Sequence, residues 1–522
     1  MLKKSFFLDK KYIIISLSII LLSSILSFFF NQYVYDGHHH GLMFSNALDL
    51  INLKKPYKEI FIQYGLLTTI IHAMSLYIFG KFIFSLHIIT IIFYLSSIFV
   101  IFKIIEKIVN VKYAVLGIFA LVSNHPFPVL PWSNYIAFFF ITISIFFFLK
   151  KNNYSLLLAG FCLGLCVLSR QDYFIAIFTT LTTYMFVCFF FERSINKFKN
   201  IIKLLSGFLI PLSFFFLYLV YFDLFDKWIK YLLLPTFYLE YSNVSISEYI
   251  INFIKFFLSK SFINYINEPQ YLLISLILIS NSFLSIIFLV QKKFNLFFVA
   301  VLSLFLSSVG ISTELFRLYT SVSIGIVSLM YFISRIKSDD LKNLCIFLIL
   351  ITSFFSFLFY PTGNYISFNK INIFQQNQKP SSELFKFKKW LPHQVDALNQ
   401  ISRIRNDLLF NCKIKFGENL TFNTYFTNIL NLERVKIIPY VKSDSKNSLM
   451  HKYFDNGFVS KINQLIIEEN IILIISENND SFDEGNIKFN DNYKFEIVNL
   501  NKINQKPFVA KFYYPKKCYS KS

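Results

Sequence analysis

Charge is what this chain has least of: only 16% of its 522 residues are Asp, Glu, Lys or Arg, against 55% hydrophobic and 20% aromatic. That balance excludes a soluble globular domain and leaves a polytopic membrane protein. No P-loop, dinucleotide fingerprint, HExxH or Gly-x-Ser-x-Gly element stands in a credible context, which disfavours ATP-driven transport by this chain alone. Cysteine is sparse too. The six form neither a disulfide framework nor a zinc pattern: Cys162, Cys166, Cys188 and Cys345 lie in apolar runs, and Cys412 and Cys518 in the polar tail can pair if that tail occupies an oxidising compartment. The basic start and its apolar run of about nineteen residues lack a small-x-small cleavage site, so the segment reads as a retained first helix. There is no visible internal repeat.

The net charge of +21 does not point to nucleic acid, because Lys and Arg gather in short clusters between apolar runs, where they attract anionic lipid and set topology. Apolar runs at about 12–30, 82–102, 113–124, 134–149, 154–169, 173–191, 201–222, 271–290, 296–311, 318–334 and 342–360 predict about eleven transmembrane helices. With Lys3, Lys4, Lys10 and Lys11 in the cytoplasm, the basic clusters at 103–112, 150–151, 193–203, 292–293 and 335–342 all fall on the same side. The other side receives the loop at 31–81, the turns at 124–128, 170–172 and 313–317, and everything after 361. Segments 42–51, 66–79 and 249–262 read as helices lying in the interface. From 364 onward the composition turns to Asn, Lys, Asp and Glu. Helical stretches at 393–405 and 458–469 alternate there with strand-like runs at 435–438, 471–475 and 508–514, predicting a small soluble α/β domain over 364–522 beside a membrane domain over 1–363.

Chemistry-bearing groups concentrate in the first outer loop. Asp36 follows the first span by about six residues, where a carboxylate can take a proton from a hydroxyl attacking a lipid-anchored target; it can equally cap the helix that follows. His38, His39 and His40 can meet a phosphate or a sugar, or serve only as interfacial polar groups. A divalent metal at Asp36, His38 and His40 is a further reading, limited because adjacent side chains diverge. Glu59, Gln63 and Tyr64 have a spacing that on a helix puts Glu59 and Gln63 on one face, lining a pocket or opening a solvated helix. Arg170, Gln171 and Asp172 lie between two apolar runs with almost no loop to solvate them. Arg170 is placed to hold a phosphate with Asp172 orienting it, unless the two form a purely structural ion pair. Glu314 and Arg317 repeat that pattern, with Arg317 a second phosphate candidate.

Asp36, the Lys54-Lys55-Pro56-Tyr57-Lys58-Glu59 run, Gln63-Tyr64-Gly65-Leu66 and the Arg170-Gln171-Asp172 turn together resemble the GT-C superfamily of membrane glycosyltransferases, in particular its protein-mannosyltransferase-like and aminoarabinose-transferase-like branches. The chain departs from the commoner Tyr-Pro-Pro sequence at Tyr64-Gly65-Leu66 and adds the histidine triplet. The resemblance implies an α-helical GT-C-like membrane domain and an inverting glycosyltransferase that takes a sugar from a polyprenyl-phosphate donor. Its acceptor is a cell-envelope glycan, lipid or protein on the outer face of a bacterial inner membrane, and Asp36 is its general base. A polysaccharide ligase or polymerase uses the same donors but concentrates basic residues in a late loop. A secondary transporter places ionisable residues at mid-bilayer, whereas the polar groups here gather at one face.

Overall fold

The computed structural model describes residues 2–34, 37–60, 62, 64–125, 128–150, 153–192, 195–232, 269–308, 315–359, 377–419, 432, 458–476, 487–500 and 508–518. All eleven predicted apolar runs are helical: α1 (Leu2–Asn31), α4 (Ile83–Ile108), α5 (Val111–Ser123), α6 (Ser133–Phe148), α7 (Asn153–Ser169), α8 (Tyr173–Glu192), α9 (Ile195–Tyr221), α11 (Pro269–Val290), α12 (Phe294–Ser308), the pair α13 (Leu315–Val322) and α14 (Ile326–Ser334), and α15 (Asp339–Phe359). Helix is the form lipid demands, because it satisfies every backbone N–H and C=O within the segment. Seven of these segments are long and apolar enough to cross a membrane; α5, α6, α7 and α12 are shorter apolar helices. The chain is a multi-pass membrane protein.

α1 shows how the lipid side is chosen. Ile14, Leu17, Leu21 and Ile25 are exposed while Ser16, Ser23 and Ser27 are buried, the reverse of a soluble helix. Small hydroxyl residues let backbones approach, and they return their own donors to the helix, as Ser27 does to the Ser23 carbonyl at 2.7 Å. The same device joins α7 to α9. A Cβ on Gly160 would overlap the Leu204 carbonyl, and one on Gly207 the Leu157 carbonyl, so only glycine permits this contact.

The interfacial segments at 42–51 and 66–79 are helices α2 (Gly37–Ile51) and α3 (Leu66–Phe79). α3 exposes Met74, Tyr77 and Ile78 while burying Ile71, His72, Ser75 and Leu76, as expected of a helix with one face in lipid. The segment at 249–262 lies outside the described residues.

After 377 come α16 (Pro392–Asn411), β1 (Phe416–Asn419), α17 (Phe458–Ile467), β2 (Ile471–Ser476), β3 (Tyr493–Leu500) and β4 (Phe508–Pro515). They build a four-stranded sheet of order β1-β2-β4-β3, parallel between β1 and β2 and antiparallel elsewhere. Strand alternation splits β2 between two cores: Ile472 and Ile474 face α16 residues Val395, Leu398 and Ile401, while Ile471 and Leu473 face Ile462, Leu465 and Ile466 of α17. A strand buried on both faces explains its unbroken apolar sequence. Strands β2 and β4 and both helices match expectation, β1 and β3 add to it, and the run at 435–438 lies outside the described residues. Cys412 and Cys518 are joined, tying the end of α16 to the end of β4. The core under α16 continues into Met43, Phe44 and Ala47 of α2 and Leu76 of α3, through Phe385 and Trp390.

Candidate active site

Two motifs distant in sequence meet where α7 ends. The Gln171 N–H donates to the Tyr64 carbonyl at 2.7 Å, and Thr68 Oγ1 donates to the Ser169 carbonyl at 2.8 Å. Gly65 lies so close to Leu168 and Ser169 that a Cβ would overlap both their carbonyl oxygens. A side chain at 65 would push the two strands of chain apart.

Arg170 sits in this junction, 2% exposed. Its Nε donates to Asp172 Oδ1 at 2.8 Å and its Nη2 to Oδ2 at 2.8 Å, while the guanidinium carbon lies 4.9 Å from the Tyr173 ring centre. Burial alone would lower its pKa; Asp172 and Tyr173 outweigh burial and hold the guanidinium above its ordinary value. Arg170 is therefore charged with Nε and Nη2 taken, and Nη1 has no partner among the described residues. Tyr173 extends the junction, its hydroxyl 2.9 Å from Ser321 Oγ, which itself donates to the Arg317 carbonyl at 2.9 Å. The third predicted motif, on α13, thus joins the first two through its backbone. The Arg317 side chain is half-buried, and Glu314 lies outside the described residues.

Beside the junction is a shallow groove lined by Tyr57, Gly65, Gln171, Leu212, Phe215, Phe216 and Trp228. Its walls are almost entirely apolar. Ring contacts at 5.4 to 5.7 Å lock Trp228, on α10 (Phe225–Leu232), against Phe215 and Phe216 of α9.

The first loop departs from a helical reading at Glu59. Residues 55–60 form a tight turn closed by the Pro56–Ile60 bridge, with Tyr57 at φ 63°, and exposed Glu59 accepts the Lys55 N–H at 2.7 Å. Proline at 56 removes one N–H, and the charged Glu59 satisfies its neighbour instead. Glu59 therefore does not stand on a helix, and Gln63, expected on the same face, lies outside the described residues.

Asp36 also lies outside the described residues, as do the side chains of His38 and His39, though α2 begins at Gly37 and carries both. His40 is buried and its Nε2 is 2.9 Å from His87 Nε2. His87 Nδ1 lies 3.1 Å from the Val129 carbonyl, and Lys388 Nζ donates to His87 Nε2 at 3.0 Å. With Nδ1–H donating to Val129, His87 Nε2 keeps a single lone pair, which His40 and Lys388 approach from two sides and share. Among the described residues no three His, Cys, Asp or Glu side chains gather as a metal site requires, and His40, one of the three candidate ligands, spends Nε2 on His87.

Sequence reasoning missed His87 and Lys388. His87 looks like one polar residue in an apolar run, and Lys388 looks like a solvated charge between Lys386 and Lys389. The signal was the flanking aromatics Phe385, Phe387 and Trp390, which mark the segment as docked.

No protein-family profile and no curated protein matches this sequence. Solved structures do match. ArnT from Cupriavidus metallidurans bound to undecaprenyl phosphate superposes with a TM-score of 0.54 over 96% of this chain and 97% of that one, at 9% identity. This chain has the GT-C fold. Apo ArnT from the same organism gives 0.51 over 98% and 99% at 8% identity. The GT-C oligosaccharyltransferase AglB from Archaeoglobus fulgidus, in complex with an inhibitory peptide and a dolichol-phosphate, gives 0.50 over 88% and 69% at 11% identity. The match to ArnT covers nearly the whole of both chains.

Proposed function

We propose that this chain is an inverting glycosyltransferase that moves a sugar from a polyprenyl-phosphate donor to a hydroxyl of a cell-envelope glycan, lipid or protein. The observation that carries the reading is the charged Arg170, with Nη1 uncommitted, next to Gln171 in the wall of an apolar, aromatic-lined groove. A lipid phosphate needs that pairing. Its isoprenoid chain is apolar and its phosphate anionic, so a site for it joins a greasy channel to a fixed cation. The GT-C fold supports the same reading.

Asp36 is the base. As the acceptor oxygen bonds to the anomeric carbon, its proton passes to the Asp36 carboxylate, and the bond from that carbon to the phosphate oxygen breaks with its electron pair on the phosphate. The leaving group is a stable anion that needs positive charge more than a proton, and Arg170 Nη1 supplies it, with Arg317 a second cation. Tyr64 and Asp172 fix Arg170, while His38 and His39 meet the phosphate or the sugar and Gln63 lines the acceptor side.

The first loop and the C-terminal domain lie together, as the Lys388 contacts require, and the basic clusters at 103–112, 150–151 and 335–342 lie opposite under the positive-inside rule. The Cys412–Cys518 bond needs an oxidising compartment. We therefore assign a bacterial inner membrane with a cytoplasmic N-terminus and residues 364–522 as a periplasmic domain.

The test incubates purified protein in lipid with a panel of polyprenyl-phosphate sugars, with and without EDTA, comparing wild type with Asp36→Asn. The expected result is release of free polyprenyl phosphate that depends on Asp36 and survives EDTA. Loss on chelation would move the charge-neutralising role to a divalent ion at Asp36, His38 and His40. Equal turnover by Asp36→Asn would remove the base, and substrate uptake into sealed vesicles would mark a carrier.

A further inference from the structure

Segment 383–390, which leads into α16, crosses the end of α1 and sends Lys388 inward between two buried rings. The Phe385 and Trp390 rings, 4.6 Å apart, are buried in the core shared with α2 and α3. The Phe387 ring contacts Phe82 and Phe84 at the start of α4, 5.6 and 5.7 Å away. The backbone of Phe387 sits at φ 68°, a left-handed conformation that a bulky residue keeps only where its surroundings impose it. The Lys389 N–H donates to the Gln32 carbonyl at 2.8 Å.

Between these anchors Lys388 is 1% exposed. Its Nζ donates to the Asn31 carbonyl at 2.7 Å and to the Val34 carbonyl at 2.6 Å, and lies 3.0 Å from His87 Nε2. Both carbonyls belong to the turn that ends two residues before Asp36. His87 meets His40, four residues after Asp36. One side chain of the C-terminal domain thus holds the first loop on both flanks of the base.

We propose that Lys388 is a positioning residue of the transfer reaction, a latch by which the C-terminal domain keeps the first outer loop, and Asp36 with it, in register with the acceptor. This rests on the transferase reading only for the role of Asp36; the latch itself is a property of the packing. Without Lys388 the buried Asn31 and Val34 carbonyls lose their donor and turn toward water, carrying the loop outward. A displacement of about 1 Å at the reacting groups costs on the order of 100-fold in rate.

The experiment compares full-length wild type, Lys388→Met, and Lys388→Met combined with Gln32→Cys and Lys389→Cys, all in lipid nanodiscs. The cysteine pair ties the same two strands covalently, and it also supplies folded protein if Lys388→Met alone does not fold. Lys388→Met is expected to speed amide exchange across 32–40 and to lower kcat about 100-fold with the donor KM unchanged. The tethered variant is expected to recover both the protection and most of kcat. Unchanged exchange at 32–40 in Lys388→Met overturns the latch whatever the activity. Restored protection without restored kcat overturns the positioning role. If wild type transfers no sugar from any donor, the transferase reading fails, and the exchange arm still decides whether Lys388 holds the loop.

Discussion

Arg170 and Lys388 are both buried basic side chains at the same end of the membrane domain, yet they are held in opposite ways. Arg170 has a carboxylate on two of its nitrogens and an aromatic face beside it, and its pKa rises. Lys388 has two carbonyls and an imidazole, and burial pushes its ammonium well below its ordinary value. The first arrangement preserves charge; the second uses donors. A site that must meet an anion needs the former, and a joint that must hold a chain in place needs only the latter.

The sharpest way to break this contrast is Arg170→Met, which leaves Asp172 without its cation and should cost about 3–5 kcal/mol. The double variant Arg170→Met, Asp172→Leu should recover most of that stability in a denaturation series while staying inactive. Recovery of activity with stability would show that Arg170 serves packing alone.

Lys388→Met removes the donor to two buried carbonyls but no ion pair, and about 2–3 kcal/mol is expected from the stranded carbonyls. Its pH dependence separates it from Arg170. A lysine with a lowered folded pKa leaves the unfolded chain holding the extra proton between that pKa and about 10.5, so wild-type stability climbs with pH across that window. The climb should vanish in Lys388→Met, read as melting temperature from pH 7 to 10.

Gly65→Ala tests the junction around Arg170 without touching a charge. The added Cβ overlaps the Leu168 and Ser169 carbonyls, so about 2 kcal/mol and a drop in kcat are expected, the latter because Tyr64 is moved off the Arg170 turn. Lys342→Met is the control. Its partner Asp339 is 3.3 Å away and 87% exposed, and less than about 1 kcal/mol should be lost.

Much of this architecture is legible in the order of the amino acids. Eleven apolar runs stand out because hydrocarbon tolerates little charge over a spanning length, and each is a helix. Arg170 and Asp172 announce themselves as charges with no loop to solvate them. Lys388 does not, because Phe385-Lys386-Phe387-Lys388-Lys389-Trp390 has the alternation of an edge strand with its lysines in water, and nothing local says that one of three lysines turns inward. Glu59 misleads for a related reason: its spacing from Gln63 fits a helix, but Pro56 and the positive φ of Tyr57 make a turn.

By itself the sequence determined the membrane-spanning character and where along the chain the apolar helices lie, since both follow from how many apolar residues stand in a row and where charge interrupts them. Only the tertiary structure decided that Tyr64 meets Gln171, that Tyr173 links Arg170 to α13, and that Lys388 reaches Asn31 across 357 positions. Those pairings depend on how close two backbones can come, at Gly65, Gly160 and Gly207, and on which buried carbonyls still lack a donor after the helices have formed.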